Sequence, residues 1–499
     1  MSAHLIAAAS ELFSPYVLLV VVASSAFGLF IGAIPGLTAT MATALLVPVT
    51  FYMGPIPAVA AMVSASAMAM FAGDIPSAML RMPGTPASAA YTDDAYTLTR
   101  KGQAHVGLGI CLLTSAMGGV FGAVVLSLFA PPLASVALKF SSYEYFWLCV
   151  LGLTTSAFII QGATVKGIVA LLLGLLVSTI GIDPVGGVPR FTFGSTTLIG
   201  GISLVPVMIG VFAIAEILRF YAHGHRKLNV AQPEVSNVFA GQAGILWKER
   251  RAIAQGNILG TLIGILPGAG ADIAAWISYS VAKRFSKNPQ AFGKGSTEGL
   301  AAAGAANNAA VSGAYVPALV FGIPGDAITA IVIGVLFMKG VNPGPMIFIK
   351  NPATVYGIFM AFILANLLMI PMGWLAIRAC RQILRVKLTV LMPVIFVSCL
   401  VGAFAIDNTL GAVGVALAFG VVGYFMEENG LPLAPFVLGI VLGPLVEQNF
   451  LTSMMKANGD LIAFFDRPIA AALGAVTILI WLSPVLRLLL SRLRTGASA

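Results

Sequence analysis

The sequence interrupts an apolar run with a Pro-Gly pair at two distant points. Residues 32–40 read GAIPGLTAT, and residues 264–272 read GILPGAGAD. Proline removes a backbone donor and clashes with the preceding helical turn, and glycine tolerates the sharp turn that follows. Each pair therefore predicts the tip of a hairpin between two helices, where backbone N–H and C=O groups are free to bind a ligand.

A second break follows each tip. Residues 76–89 read PSAMLRMPGTPASA, and residues 317–330 read PALVFGIPGDAITA. The Pro and Gly positions of these two stretches are related by a constant offset of 241 residues, and those of the two tips by an offset of 232. Four breaks in matching places of a duplicated chain favour one shared ligand site over unrelated helix kinks, which are the alternative interpretation.

Helix N-termini at such breaks present free N–H groups and the positive end of a helix dipole, which suit an anion. We therefore predict that an anionic substrate binds at the breaks. The predicted substrate-binding residues are Pro35, Gly36, Thr38, Thr40, Arg81, Gly84, Thr85, Ser88, Gly268, Gly270, Gly325 and Asp326. For the hydroxyl and carboxylate side chains in this set, capping of the new helix is the alternative role.

Unwound carbonyl groups and helix C-termini suit a cation such as sodium. Asn307 and Asn308 lie in the small-residue run AAAGAANNAAVSG, where their amides need either a bound ion or substrate, or a neighbouring helix. A membrane carboxylate such as Asp272 or Asp326 suits an ion, a proton or a helix cap. The predicted cation-binding residues are Ser66, Asp272, Asn307, Asn308 and Thr329, with Ser66 at the position of Asn307 in the first half.

The composition indicates which kind of secondary structure carries these residues. The chain has 499 residues, of which 59% are hydrophobic and 9% charged, and its mean hydropathy is +0.98. Soluble globular domains carry about 25% charged residues, so the chain is predicted to be an all-α polytopic membrane protein embedded in a lipid bilayer. The net charge of +9 is interpreted as cytoplasmic topology anchors and not as a nucleic-acid surface.

The distribution of basic residues predicts the topology. Clusters near 219–251, 283–294, 378–387 and 487–494 are placed in the cytoplasm. Residues 252–282 lie between two of these clusters and are too short for two crossings of about 20 residues each, so they form a re-entrant hairpin. The prediction is roughly 11–12 spans plus two hairpins, with a periplasmic N-terminus and a cytoplasmic C-terminus.

The chain is predicted to consist of two inverted-topology repeats. Residues 1–217 contain a hairpin at 15–53, a broken helix at 55–90 and further spans. Residues 252–499 contain a hairpin at 252–282, a broken helix at 297–338, further spans and an extra C-terminal span, and residues 218–251 form a cytoplasmic linker. Five crossings between the hairpins give the two halves opposite orientations, because five is odd.

These motifs resemble the large membrane subunit of the tripartite tricarboxylate transporters, the TctA family. The resemblance covers about residues 15–350 and rests on GAIPGLTATM, PGTPASAA, FGKGSTEG, AANNAA, FGIPG and NPGP. It implies a bacterial inner-membrane permease that takes up carboxylates with a cation gradient. It also implies two partners, a small membrane subunit and a periplasmic substrate-binding protein.

Three positions depart from the usual family pattern. Arg81 stands where the family often has Asn before PGTP, Gly304 and Ala305 replace the Glu and Ser of ESANNA, and Ala95 replaces Gly in Asp-Gly-Tyr. We hypothesise that Arg81 binds a substrate carboxylate in a bidentate manner. The alternative is that Arg81 snorkels to the interface or pairs with a carboxylate such as Asp74. A cavity facing both Arg81 and Gly304 would be more positive than is usual in the family.

The sequence contains no HExxH, P-loop, GxSxG or Cys/His motif, so an enzyme is not predicted. No cofactor is expected beyond sodium or a proton as coupling ion. The predicted function is a secondary active carrier for organic anions, with di- and tricarboxylates as the predicted substrates and an elevator-type alternating access. An anion channel with the breaks as a fixed filter, and a non-transporting membrane scaffold, are the alternatives.

Overall fold

A computed structural model describes residues 2–158, 164–183, 186–223, 237–383 and 388–496. These residues form mainly α-helices. In chain order the helices are α1 Ser2–Leu12, α2 Pro15–Gly32, α3 Ala39–Thr50, α4 Pro55–Ala72, α5 Asp74–Leu80, α6 Thr92–Arg100, α7 Ala104–Ala137, α8 Ser142–Phe158, α9 Thr164–Ser178, α10 Thr196–Ile199, α11 Leu204–Met208, α12 Ala215–His223, α13 Gln242–Lys248, α14 Arg250–Ile265, α15 Gly270–Phe285, α16 Thr297–Phe321, α17 Ala327–Met338, α18 Ile347–Lys350, α19 Pro352–Ile383, α20 Leu388–Asp407, α21 Leu410–Glu428, α22 Leu433–Lys456 and α23 Pro468–Gly496.

Short segments of other geometry join some of these helices. Three 3₁₀ turns lie at Ser88–Ala90, Pro289–Ala291 and Ile462–Phe465, and a π-helical segment at Ile209–Ile214 connects α11 to α12. Two strands, β1 Gly181–Ile182 and β2 Pro189–Arg190, pair antiparallel with Gly181 opposite Arg190. No pattern in the sequence predicted this small β-hairpin.

Within the described residues, eight helical stretches are long and apolar enough to cross a membrane. They are Pro15–Gly32, Pro55–Leu80, Ala104–Ala137, Leu204–His223, Pro352–Cys380, Thr389–Ile406, Leu410–Glu428 and Leu433–Lys456. Four shorter apolar helices accompany them, at Ala39–Thr50, Thr164–Ser178, Ala327–Met338 and Pro468–Leu482. The predicted fold class, an all-α polytopic membrane protein, is confirmed.

The chain divides into two compact units. The first contains residues 1–137 and 203–433, and the second contains residues 138–202 and 434–499. Each unit therefore takes sequence from both of the predicted repeats. Within the predicted linker 218–251, residues 224–236 lie outside the described residues, and α13 packs on α7 through Gln242, whose Nε2 donates to His105 O at 3.2 Å.

The first unit is built on two buried helical segments, the Pro55–Leu80 stretch and α16. The membrane-length window of the first is fully enclosed, and nearly every residue of α16 is buried. Both are rich in Ala, Gly and Ser. Small residues let neighbouring helix backbones approach closely, which is the main way that helices pack in a membrane.

Each predicted hairpin has a non-helical tip. The first runs from the end of α2 at Gly32 to the start of α3 at Ala39, and the second runs from the end of α14 at Ile265 to the start of α15 at Gly270. Gly36 has a φ of +92° and Gly268 a φ of +82°. Both Pro-Gly pairs thus lie in turns that need the left-handed conformation glycine adopts readily.

The two hairpins pack on the buried helices at corresponding glycines. A Cβ on Gly28 would lie 2.7 Å from Ala65 Cα, and a Cβ on Gly260 would lie 2.6 Å from Ala306 Cα. Gly28 and Gly260 are 232 residues apart, and Ala65 and Ala306 are 241 apart. These are the two offsets found in the sequence, so the duplicated residues make the same helix contacts in both halves.

The second unit contains α8, α9, α10, α22 and α23. Arg190 of β2 binds Glu447 of α22 in a bidentate manner, with Nη1–Oε1 and Nη2–Oε2 distances of 2.6 and 3.0 Å. Gly174 of α9 packs against the backbone of α22 at Phe436. The hydrogen bond and the charge of Glu447 raise the pKa of the Arg190 guanidinium, so this arginine stays charged at every physiological pH.

The glycine contacts yield a stability prediction. A Cβ on Gly264 would lie 2.8 Å from Ala310 Cα, so Gly264→Ala should destabilise the protein by about 1–3 kcal/mol through overpacking. Gly414→Ala is the matched control, because nothing lies within 4 Å of its Cβ and alanine suits a helix better than glycine. Thermal unfolding in detergent should show a lower Tm for the first variant only. Equal Tm values would contradict the packing argument.

Candidate functional site

The second tip and the second break are joined by their backbones. Gly268 N–H donates to Gly325 O at 2.8 Å. A Cβ on Gly270 would lie 3.1 Å from Asp326 Cβ, so the start of α15 faces the start of α17. The predicted residues Gly268, Gly270, Gly325 and Asp326 are thus brought together at one place.

The first break packs against the first hairpin in a similar way. Gly84 N–H donates to Gly73 O at 3.2 Å. A Cβ on Gly84 would lie 2.5 Å from Gly73 Cα and 3.0 Å from Gly32 O at the end of α2. Only glycine allows this approach, so Gly84 fixes the break against the hairpin.

Two contacts join the halves across their breaks. The Oδ1 atom of Asp272 accepts a hydrogen bond from Ala87 N at 3.1 Å. Trp276, one turn further along α15, donates its Nε1–H to Pro86 O at 3.3 Å. The loop after PGTP therefore rests on the start of α15, and the breaks of the two halves meet.

Matching hydroxyl and carboxyl side chains cap both second breaks. Thr85 N donates to Ser88 Oγ at 3.1 Å, and Ser88 N donates to Thr85 Oγ1 at 3.2 Å. Asp326 N donates to Thr329 Oγ1 at 2.9 Å, and Thr329 N donates to Asp326 Oδ1 at 2.8 Å. Capping, the alternative role given for these side chains, is the one their contacts display.

The first tip is lined by neutral groups and by one unexpected carboxylate. Thr38 is the N-cap of α3, since its Oγ1 accepts from Met41 N at 3.2 Å. Gly36 is exposed, and Pro35 and Thr40 are half-buried. A Cβ on Gly36 would lie 3.7 Å from Glu216 Oε1 of α12, a residue that the sequence analysis did not select.

Glu216 is itself paired. Its Oε2 lies 2.5 Å from Arg219 Nη2, and Arg219 Nη1 lies 3.3 Å from Glu427 Oε2 of α21. The carboxylate beside the first tip is therefore neutralised by a cation one turn along its own helix. Its place beside residue 36 depends on how α12 packs, which no local motif indicates.

Arg81 lies at the surface of the protein and not among the buried helices. It ends α5 with a φ of +56°, and its Nε lies 2.8 Å from Asp93 Oδ1. Its side chain is 62% exposed. The carboxylate partner is thus Asp93, so the alternative pairing with Asp74 is wrong. The substrate-binding role of Arg81 remains a prediction.

The polar residues of α16 and α4 are buried. Asn307 donates from Nδ2 to Tyr91 Oη at 3.5 Å, and Asn308 donates from Nδ2 to Ala67 O at 3.4 Å. No described residue donates a hydrogen bond to the Oδ1 atom of either amide. Ser66, which the offset relates to Asn307, donates to Val63 O of its own helix at 3.0 Å.

Gly304 contacts α7. A Cβ on Gly304 would lie 2.6 Å from Thr114 Oγ1, and Ser115 Oγ donates to Gly304 O at 3.3 Å. A larger side chain would not fit there, so glycine at this position serves the packing of α7 on α16. Arg81, by contrast, is exposed and paired with Asp93.

Two carboxylates that organise the site were missed by sequence reasoning. Asp94 Oδ1 accepts from Gly295 N at 2.7 Å and from Ser296 N at 2.8 Å, which holds the loop before α16. Its Oδ2 accepts from Tyr279 Oη at 2.6 Å. No spacing in the sequence relates position 94 to position 295.

Asp74 is the second missed residue. Its side chain is fully buried, and its Oδ1 accepts from Tyr91 Oη at 2.6 Å. A carboxylate inside an apolar segment is a functional candidate by default. That signal was available in the stretch MAMFAGDIPSAM, where the sequence analysis considered Asp74 only as a partner for Arg81.

Two curated proteins are similar to this chain over most of their own length. A protein of Agrobacterium vitis described as "Uncharacterized 52.8 kDa protein in TAR-I ttuC' 3'region" is 35% identical over 450 residues, which cover 90% of this chain and 89% of that protein. Another, "Uncharacterized protein in TAR-II ttuC' 3'region" of the same organism, is 36% identical over 231 residues, 46% of this chain and 96% of its own length. No solved structure matches the chain.

The family model described as "Tripartite tricarboxylate transporter TctA family" matches residues 18–438. This match covers most of the chain and includes both hairpin tips and both second breaks. The TctA proteins are transporter subunits and not enzymes, which agrees with the absence of catalytic motifs from the sequence. The chain therefore belongs to the TctA family of tripartite tricarboxylate transporters.

Proposed function

We propose that this transporter subunit takes up organic anions, di- or tricarboxylates, by cation-coupled alternating access. A periplasmic binding protein delivers the substrate, and a small membrane subunit completes the complex. The complex resides in the bacterial inner membrane, with the N-terminus of this chain in the periplasm and its C-terminus in the cytoplasm. The observation that carries the proposal is the meeting of four helix breaks from two halves of the chain at one place.

The two halves act as inverted repeats in this proposal. The same glycine contacts recur at offsets of 232 and 241 residues, and the same cap recurs at the second breaks. Four apolar helical stretches lie between the two hairpins in the described part of the chain, namely Pro55–Leu80, α7, α9 and Leu204–His223. The proposal counts the 17-residue helix α8 as a fifth crossing. An odd number of crossings gives the hairpins opposite directions in the membrane.

The charges at the breaks divide the site between two ligands. Asp272 and Asp326 lie at the second tip and second break, whereas Thr38, Thr85 and Ser88 occupy the first half. We assign the substrate anion to the breaks of the first half, where neutral side chains cap the helix starts and Arg81 lies just before the PGTP break. We assign the coupling cation to Asp272 and Asp326, with the backbone of Gly268, Gly270 and Gly325 between the two ligands.

Arg81 supplies the cationic contact. Its Nε is held by Asp93, and its side chain is 62% exposed, so the two Nη groups can bind both oxygens of a substrate carboxylate. In the transport cycle, each half contributes one hairpin and one broken helix to a mobile substrate-carrying body, and the other helices form the scaffold. The motion is of the elevator type.

The proposed function predicts gradient-driven uptake. Proteoliposomes containing this subunit, its small membrane subunit and its binding protein should accumulate a di- or tricarboxylate above its external concentration when an inward sodium or proton gradient is present. A panel of labelled mono-, di- and tricarboxylates identifies the substrate. Uptake that only equilibrates, and that ignores both gradients, would instead support the channel alternative.

The assignment of Arg81 predicts a defined loss in a conservative variant. Arg81→Lys keeps the charge and loses the fork of donors, so the KM for the carboxylate should rise about tenfold or more. Arg284→Lys is the control, because Arg284 is exposed on α15 and lies away from the tips. Near-normal uptake by Arg81→Lys would remove the bidentate contact from the proposal.

The assignment of the cation predicts the effect of Asp272→Asn. The amide oxygen can still accept from Ala87 N, so the loop after PGTP keeps its support while the charge is lost. The cation concentration for half-maximal uptake should rise about tenfold or more, and carboxylate exchange without a gradient should persist. Asp466→Asn, at an exposed position, should behave as wild type. An unchanged cation dependence would exclude Asp272 as a cation ligand.

A further inference from the structure

A buried carboxyl group lies outside the site assigned above. Asp74 is the first residue of α5 and has no exposed surface. Its Oδ1 accepts from Tyr91 Oη, and the thiol of Cys111 on α7 is the other side chain that interacts with the carboxyl group. Asp74 forms no ion pair within the described ranges. An ionised carboxylate buried among apolar groups needs a counter-charge, and none of the described residues supplies one.

Few titratable groups face this carboxyl group. Tyr91, after the 3₁₀ turn, and Cys111, on α7, interact with it. The residues of α4 include no titratable side chain. On α6, Asp93 pairs with Arg81 and Asp94 binds the loop before α16. The environment therefore offers hydrogen bonds and no opposite charge.

The neighbouring amide complements a protonated carboxyl group. Asn307 donates from Nδ2 to the same Tyr91 hydroxyl that donates to Asp74, and no described residue donates to its buried Oδ1. Protonation turns the Asp74 carboxyl group into a hydrogen-bond donor. The cluster thus contains a group that can take up a proton and, linked to it through Tyr91, a buried acceptor without a donor among the described residues.

Sodium fits this cluster less well than a proton. Hard cations prefer six or more oxygen ligands, and a thiol is a soft ligand. The cluster offers the Asp74 carboxylate, the Tyr91 hydroxyl and the Asn307 amide, and the remaining neighbour is the sulfur of Cys111. These groups are enough for proton exchange and too few for a dehydrated sodium ion.

The cluster is tied directly to the first substrate-binding break. Gly84 N–H donates to Gly73 O, one residue before Asp74, and Tyr91 Oη binds Asp74 itself. The segment from Gly84 to Tyr91, which contains Thr85 and Ser88, is therefore attached at both ends to the Asp74 region. A change in the charge of Asp74 alters the bond that holds one end of this segment.

We propose that Asp74 is a proton-binding site of the transport cycle, at which one proton is taken up on one side of the membrane and released on the other together with the substrate. The inference rests on the proposed carboxylate transport. The proton is a second coupling ion, separate from the cation at Asp272 and Asp326.

The test uses the complete complex in proteoliposomes loaded with a pH-sensitive dye, and the carboxylate identified by the panel. In wild type with equal sodium on both sides of the membrane, an inward proton gradient should drive accumulation, and substrate entry should acidify the lumen. Proton-driven accumulation by Asp74→Asn should be at least about tenfold lower than in wild type, because the amide cannot exchange a proton. Its substrate exchange and its sodium-driven uptake at equal pH should remain within about threefold of wild type.

Two further variants complete the experiment. Asp74→Glu should retain proton-driven uptake, and Asp460→Asn, at an exposed position of the second unit, should match wild type. If Asp74→Asn accumulates the carboxylate under a proton gradient as well as wild type does, the inference is overturned. Sodium-driven wild-type uptake without lumen acidification would also overturn it, even if Asp74→Asn does not fold, and would leave the proposed function intact. Absence of carboxylate transport under every gradient would overturn both.

Discussion

The site depends on one constraint, which is that backbone N–H and C=O groups at membrane depth must find partners. The four breaks meet it largely with one another. Gly268 donates to Gly325, Gly84 donates to Gly73, and Ala87 donates to Asp272 of the other half. The first tip bonds within itself, through Leu37 N to Ile34 O at 3.1 Å, whereas each of the other three breaks bonds to a residue outside its own turn. In the proposed carrier, a substrate that binds at one of these three breaks would change the hydrogen bonds available to the others.

Close packing of small residues holds these breaks in place. Gly28 lies on Ala65 and Gly260 lies on Ala306, so each hairpin touches the backbone of a buried helix. Polar side chains buried in this core, such as Ser66 and Asn308, donate hydrogen bonds to backbone carbonyl groups. Asp74 differs from them, because it is a buried carboxyl group without an opposite charge among the described residues. Its cost favours a role in binding over a role in packing.

The sequence predicts the local features well. The hairpin tips and second breaks follow from Pro and Gly, whose effects on the backbone are local, and the all-α fold follows from continuous apolar runs. Contacts between distant segments were not predictable, as Asp94 with Gly295 and Gly36 with Glu216 illustrate. An offset relates positions and not side-chain partners, so it could not show that Ser66 bonds within its own helix.

The two halves share a backbone plan and differ where the chemistry lies. Tyr315 stands 241 residues after Asp74, and both side chains are fully buried. The hydroxyl of Tyr315 has no hydrogen-bond partner in the described part of the chain, whereas the Asp74 carboxyl group accepts a hydrogen bond from Tyr91. A symmetric pair of carboxyl groups would place equal charge in both halves. With a carboxyl group at one of these related positions and a neutral phenol at the other, the two positions differ in charge when Asp74 is ionised and are both neutral when it is protonated. In the proposed cycle, one proton would thereby bias the direction in which the two halves move.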